Sequence, residues 1–186
     1  ALAETNPGVT AMFWAGCGAD QNPLPRRTVE LAKTYGRRLA TAVNSVLQGH
    51  MQKVVGPLQT QYREIQGRTI APKTRKDLET IQRDGNQYEK PYAQYLLNQL
   101  DSNNALPQTY AYPIQTWHLG NSVQWIFLGG EVVIDYAIKI KQGAQPTSPY
   151  RNPAIWVAGY SNDVMAYIPS LRVLREGGYE GGGSNT

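Results

Sequence analysis

Residues 154–183 read AIWVAGYSNDVMAYIPSLRVLREGGYEGGG, and the order of their parts decides the fold class. Ala154 to Ala158 is a short apolar run, which predicts a buried strand. Gly159-Tyr-Ser-Asn-Asp163 is polar and turn-prone. After Ala166-Tyr167-Ile168-Pro169 the sequence predicts a one- to two-turn helix from Ser170 to Glu176. Ser170 is a fair N-cap, and Gly177-Gly178 is a natural stop. Tyr179 follows that stop, then Glu180 and three glycines. A strand that ends in a polar loop and then a capped helix is where α/β enzymes place chemistry. The glycines let backbone come close to a ligand.

Working outward, Val123–Leu128, VQWIFL, is the strongest buried strand and runs straight into Gly129-Gly130-Glu131. Before it, Gln108–Trp117 alternates in polarity, with Pro113 arguing for an edge or a bulge. Asn121-Ser122 makes the turn of a hairpin between the two. Val9–Ala15, VTAMFWA, is β-branched and aromatic and predicts another buried strand. It ends in Gly16–Arg26, a rigid loop set by two glycines and two prolines. Thr28–Gln48 is the longest helix, capped by Thr28, with Val29, Ala32, Tyr35, Leu39, Val43 and Leu47 at helical spacing. The expected architecture is α/β: a mixed sheet of strands at 9–15, 58–66, 109–117, 123–128 and 154–158. Helices at 28–48, 74–83, 88–100, 132–142 and 170–176 pack beside it. Gly143–Pro153 reads as an irregular loop.

The chain has 186 residues, 41% hydrophobic and 17% charged, which suits one soluble domain with a real core. No apolar run approaches the ~20 residues that span a bilayer. The chain opens at Ala1 rather than Met, which reads as processing or truncation. Net charge is +4. The basic residues are scattered, densest at Lys73, Arg75 and Lys76: a solvated face, or a weak attraction to an anionic membrane surface. Nucleic acid is not an expected partner, because no basic helix interleaved with aromatics is present. Cys17 is the only cysteine, so there is no internal disulfide and no cysteine-rich zinc site. His50, after the Gly49 stop, reads as a helix C-terminal partner. His118 reads as structural, with no second ligand at metal spacing.

Three short segments carry a resemblance. Ser161-Asn-x-x-x-Ala-Tyr-Ile-Pro169 with Glu176-Gly-Gly-Tyr-Glu180, the strand end Gly130-Glu131, and the post-strand loop Asp20-x-Asn22-Pro23 together resemble the catalytic domain of the neutral/alkaline (non-lysosomal) ceramidases. Those are zinc amidases that split the N-acyl bond of ceramide. The resemblance implies that Glu131 and Tyr167 are ligands of Zn2+. It places Tyr179 near the scissile carbonyl, with Asp20 and Asn22 beside it in the active-site loop. Asn22 stands where the family has a serine that contributes to the active site. An amide can donate and accept, but it has no nucleophilic oxygen. Glu131 also fits the N-terminus of the helix expected to follow it, where the dipole favours a carboxylate.

By this resemblance the chain, 1–186, is the second half of one catalytic domain. Two zinc-binding histidines lie in an N-terminal remainder of the same protein, and a β-rich domain follows. The expected function is zinc-dependent hydrolysis of an N-acyl amide, with ceramide-like lipid the first-guess substrate and an extracellular or periplasmic setting. This chain alone is expected to be inactive. Two other classes fit the same residues. One is a ceramidase-like protein, lapsed or acting on something other than ceramide, that binds a lipid or glycan headgroup. The other is an accessory domain separated from its partner half. A catalytic zinc needs three or more protein ligands and an open position, and two ligands in this chain do not complete such a set.

Overall fold

In the computed structural model, residues 2–68, 73–103, 105–143 and 153–183 are described. The elements in chain order are α1 (Leu2–Thr5), α2 (Val29–Leu47), β1 (Leu58–Arg68), α3 (Arg75–Asp84), α4 (Glu89–Asn103), β2 (Thr109–Leu119) and β3 (Val123–Leu128). They continue with β4 (Glu131–Val132), α5 (Ile134–Gly143), β5 (Ala154–Ala158), β6 (Tyr167–Ile168), α6 (Leu171–Glu176) and a single π-turn over Tyr179–Gly183. The class is α/β, as the sequence predicts. Of the expected Gly143–Pro153 loop, residues 144–152 lie outside the described ones.

The caps predicted at Thr28 and Ser170 form, and α3 adds one at Thr74. The Thr28 hydroxyl accepts from the Leu31 N–H at 3.2 Å and opens α2. Thr74 and Asp77 make a reciprocal capping box at α3, and Ser170 accepts from Val173 N–H to open α6. Each such cap is worth about 1 kcal/mol.

By its contacts the chain divides into two compact units, Ala1–Tyr62 with Gln115–Ser184, and Arg63–Ile114. The second unit packs α3 on α4 through Leu78, Ala93, Leu97 and Leu106, flanked by Ile81, Leu96 and Leu100. All candidate site residues belong to the first.

The four-stranded sheet has the order β1-β2-β3-β5. Only Gly120, Asn121 and Ser122 separate β2 from β3, a link that suits an antiparallel hairpin. β3 and β5 are parallel, in register from Val123↔Ala154 to Phe127↔Ala158. A parallel pair requires a crossover; α5 lies in it and packs on β5. Trp14 stacks on Trp156 at 5.8 Å, and Phe127 lies 6.0 Å from Trp14 and 4.7 Å from Trp117.

Gly130 then redirects the chain. Its φ is +75°, and a Cβ there would lie 2.8 Å from the Ala166 carbonyl oxygen and 2.6 Å from Ile168 Cγ1. Only glycine fits. The kink releases β3 from its sheet and starts β4, which pairs with β6 in a second, two-stranded parallel ladder. Val132 and Val133, both fully buried, anchor this turn, each side chain contributing on the order of 1.5–3 kcal/mol.

Two expectations need correction. Val9–Ala15 is not a buried strand. It carries no secondary structure, with Met12 89% and Phe13 81% exposed, and pairing with β5 is confined to one antiparallel bridge, Gly16↔Ala158. Strand propensity expresses fit to a pleated surface, and among the described residues no ladder forms over this stretch. The helix expected from Val132 begins instead at Ile134. Glu131 and Val132 are drawn into the ladder by Tyr167 and Ile168, a pairing between residues too distant in sequence for local periodicity to register.

Candidate functional site

The short ladder sets the geometry. Glu131 N–H donates to the Ala166 carbonyl at 2.7 Å, and Val133 N–H to that of Ile168 at 3.3 Å. Glu131 and Tyr167 are direct register partners, so their side chains leave the ladder on the same face. The Tyr167 hydroxyl hydrogen-bonds to the Glu131 carboxylate. Burial first, then that bond and the Glu131 charge, push the Tyr167 phenol up to about 12. The Tyr179 ring stands edge-on to Tyr167, centroids 5.5 Å apart and planes at 84°, while Tyr179 itself is 64% exposed.

A structural frame holds these groups. Val133 packs with Ala19 and Val173, and Tyr136 and Tyr167 lie against them. Asp135, in the first turn of α5, accepts from Ser170 Oγ at 2.6 Å and from Arg172 Nε and Nη2, both at 2.9 Å. The guanidinium fork and the Ser170 hydroxyl hold the Asp135 carboxyl below the usual carboxylate range. This clamp joins α5 to α6, and the π-turn bearing Tyr179 packs back on α6.

The loop after Trp14 also reaches the ladder. Ala19 N–H donates to the Val132 carbonyl at 3.2 Å, and Asp20 Oδ1 accepts from Ile134 N–H at 2.9 Å. Asp20 is thus the cap of α5, supplied from 114 residues away in sequence. Cys17 is buried, and burial pushes its thiol up to about 11. Asn22 is exposed, on the loop beyond Asp20.

One side chain that the sequence reading passed over also belongs here. Tyr160 lies in the left-handed region with φ +53°, and its N–H donates to the Gly130 carbonyl at 2.9 Å. Burial, then the charges of Glu131, Cys17 and Asp20, push its phenol upward. In the sequence Tyr160 falls within a stretch that reads as turn, and tyrosine carries no signal for a left-handed backbone.

The structure therefore gathers Glu131, Tyr167, Tyr179, Tyr160 and the Asp20 loop around one ladder end. Glu131 and Tyr167 are two oxygen donors on adjacent rigid strands, which fit part of a metal-ligand set. Among the described residues no group of three or more His, Cys, Asp and Glu is arranged to hold an ion. His50 is exposed, and His118 lies on β2, its pKa lowered by burial. In the second unit a basin of about 500 Å³ is lined by Lys73, Thr74, Arg75, Leu100, Leu106 and neighbours; it holds none of the candidate residues. Among the described residues no helix is long and apolar enough to cross a membrane. Comparison of the chain with protein-family models, curated proteins and solved structures returns no match.

Proposed function

We propose that this chain forms part of the active site of a zinc-dependent hydrolase of N-acyl amides, with a ceramide-like lipid as the first substrate to test. The observation that supports this reading is the Glu131–Tyr167 pair: a carboxylate and a phenol in register on adjacent strands, the phenol donating to the carboxylate. Zinc, when bound, supplies a Lewis acid for the amide carbonyl and for water. Glu131 and Tyr167 are the residues that would hold it, and the remaining ligands would come from the N-terminal remainder of the protein.

The chain's own residues have separable tasks. Tyr167 carries the proton of that hydrogen bond, so ligation through its phenolate would release a proton and strengthen as pH rises. Tyr179, exposed beside Tyr167, donates its hydroxyl hydrogen bond to the carbonyl oxygen as negative charge grows there. Asn22 offers an amide to orient substrate. Asp20 fixes the start of α5, and with it the backbone that follows Glu131.

The test is elemental analysis together with N-acyl amide hydrolysis, on the full-length protein and on Glu131→Ala. The parent should hold zinc at one per chain and release fatty acid, and Glu131→Ala should lose both. This chain by itself should bind zinc only weakly, since affinity follows ligand count. A Glu131→Ala protein that keeps its zinc and its activity would refute the assignment.

A further inference from the structure

α2 runs for 19 residues, and among its described residues Ala40 alone is buried. A surface helix of a globular protein turns its apolar stripe into the core. Here the stripe faces solvent. Ala32, Tyr35, Leu39, Ala42 and Val46 recur at three- and four-residue steps and share one face. Ala32 and Ala42 are exposed, Leu39 is 51% exposed and Val46 61%. Gly36 lies on the same face, and a Cβ added there would meet nothing within 4 Å.

The charges are arranged around that face. Arg38 borders it on one side, three residues from Tyr35 and four from Ala42. Lys33 borders it on the other, three residues from Gly36 and four from Val29. Glu30, the acidic residue of the helix, lies on the far side with Arg37. Long basic side chains at the edges of an apolar stripe lay their methylenes along it and keep the charge in water. The preceding loop extends the surface. Tyr35 Oη donates to the Pro25 carbonyl at 2.6 Å, which holds Leu24, 81% exposed, next to the helix. The exposed Arg26 and Arg27 follow.

This chemistry selects the occupant. Residues 24–47 carry five Lys and Arg against one Glu. A protein partner would need a strongly acidic rim around an apolar groove shaped to these side chains. An anionic phospholipid surface supplies both at once, phosphates at the level of the cations and acyl chains beneath them. A leucine as exposed as Leu24 protrudes, and a fluid acyl layer takes a protrusion without a shaped pocket. We propose that α2 and the Leu24–Arg27 loop anchor this protein to an anionic membrane surface, with Leu24, Leu39 and Val46 among the acyl chains and Arg26, Lys33 and Arg38 on the phosphates. Among the described residues no helix is long and apolar enough to cross a membrane; α2 lies along the surface. Such anchoring stands apart from the hydrolase reading, although the loop that carries Leu24 also carries Asp20, the cap of α5.

Flotation of the full-length protein tests the anchor, with vesicles of phosphatidylcholine alone and of phosphatidylcholine with about one-third phosphatidylserine. The parent should float with the anionic vesicles, and high salt should weaken that binding. Lys33→Gln combined with Arg38→Gln should lower partition roughly tenfold to thirtyfold, the scale of two charges near a bilayer. Leu39→Ser combined with Val46→Ser should lower it at least about tenfold. The melting temperature should stay within about 2 °C of the parent, because exposed side chains are replaced. Leu39→Trp keeps an apolar residue on the stripe, and its added emission should shift to the blue on anionic vesicles. If the serine pair melts well below the parent, Leu39→Trp decides, and an unshifted emission overturns the anchor. Parental partition in a folded serine pair overturns it too. So does a parent that floats with neither vesicle, including one that instead forms a stable complex with a protein. Flotation without hydrolysis of N-acyl amides supports the anchor and sinks the hydrolase reading alone. Hydrolysis of a detergent-dispersed amide by a protein that never floats does the reverse.

Discussion

Replacing Asp20 separates scaffold from chemistry more sharply than any other change at this site. Its Oδ1 accepts from Ile134 N–H at 2.9 Å in a partly buried position, closing α5 from a loop 114 residues away. Asp20→Ala removes that acceptor and a negative charge at the helix N-terminus. The lost cap costs about 1 kcal/mol and the lost charge about 0.3–1 kcal/mol. The sum, roughly 1.3–2 kcal/mol, should lower the melting temperature by about 3–8 °C in a chain of this size. Asp20→Asn keeps an acceptor oxygen of the same reach and loses only the charge, so its fall should be less than half as large. Thermal melts followed by circular dichroism, with hydrolysis measured well below both midpoints, decide the matter. If capping is the role, activity at low temperature survives in Asp20→Asn. An Asp20→Ala protein that melts at the parental temperature refutes the reasoning. So does an Asp20→Asn protein with an unchanged melt but no turnover, which would put the carboxylate on the substrate.

Three further outcomes follow from the same geometry. In alkaline spectrophotometric titration, the difference between parent and Tyr167→Phe should be one tyrosine ionising at about 12. Its folded pKa exceeds the unfolded value near 10, so the stability it contributes is present below about pH 10 and is lost as pH rises towards 12. Asp135 has the opposite sign: its folded pKa is depressed, so its contribution is present above about pH 4 and is lost as pH falls through the folded value. Acid melts of Asp135→Asn should therefore depend less on pH than those of the parent. Tyr179→Phe, altering a residue 64% exposed, should leave zinc content and melting temperature unchanged and lower kcat by roughly 10²-fold; a parental kcat would make Tyr179 a packing residue.

Local signals were enough for most elements. Thr28 and Ser170 each announce a helix start by chemistry confined to one turn, and each cap forms. Val123–Leu128 and Ala154–Ala158 are strands by composition alone, and they pair with each other. Val9–Ala15 carries a similar apolar signal and forms no strand, because pairing depends on what lies alongside. The two-residue strands β4 and β6 have no periodicity to detect. They exist because Gly130 breaks β3 and turns Glu131 onto Ala166.

That break is also why the candidate site was only half legible. Glu131 and Tyr167 stand out as a carboxylate after paired glycines and a tyrosine before Ile-Pro, but nothing local says that they face each other. Their meeting requires β3 and β5 to run parallel in register, so that the segments leaving both strands travel the same way. It also requires Gly130, where any side chain would collide with the Ala166 carbonyl. The position of Tyr160 depends on the same crossing, since its N–H is held by the Gly130 carbonyl. One glycine therefore sets both the turn that carries Glu131 onto Ala166 and beside Tyr167, and the carbonyl that holds the Tyr160 N–H. A side chain at position 130 would disturb both without touching either ring, and no reading of separate motifs connects them.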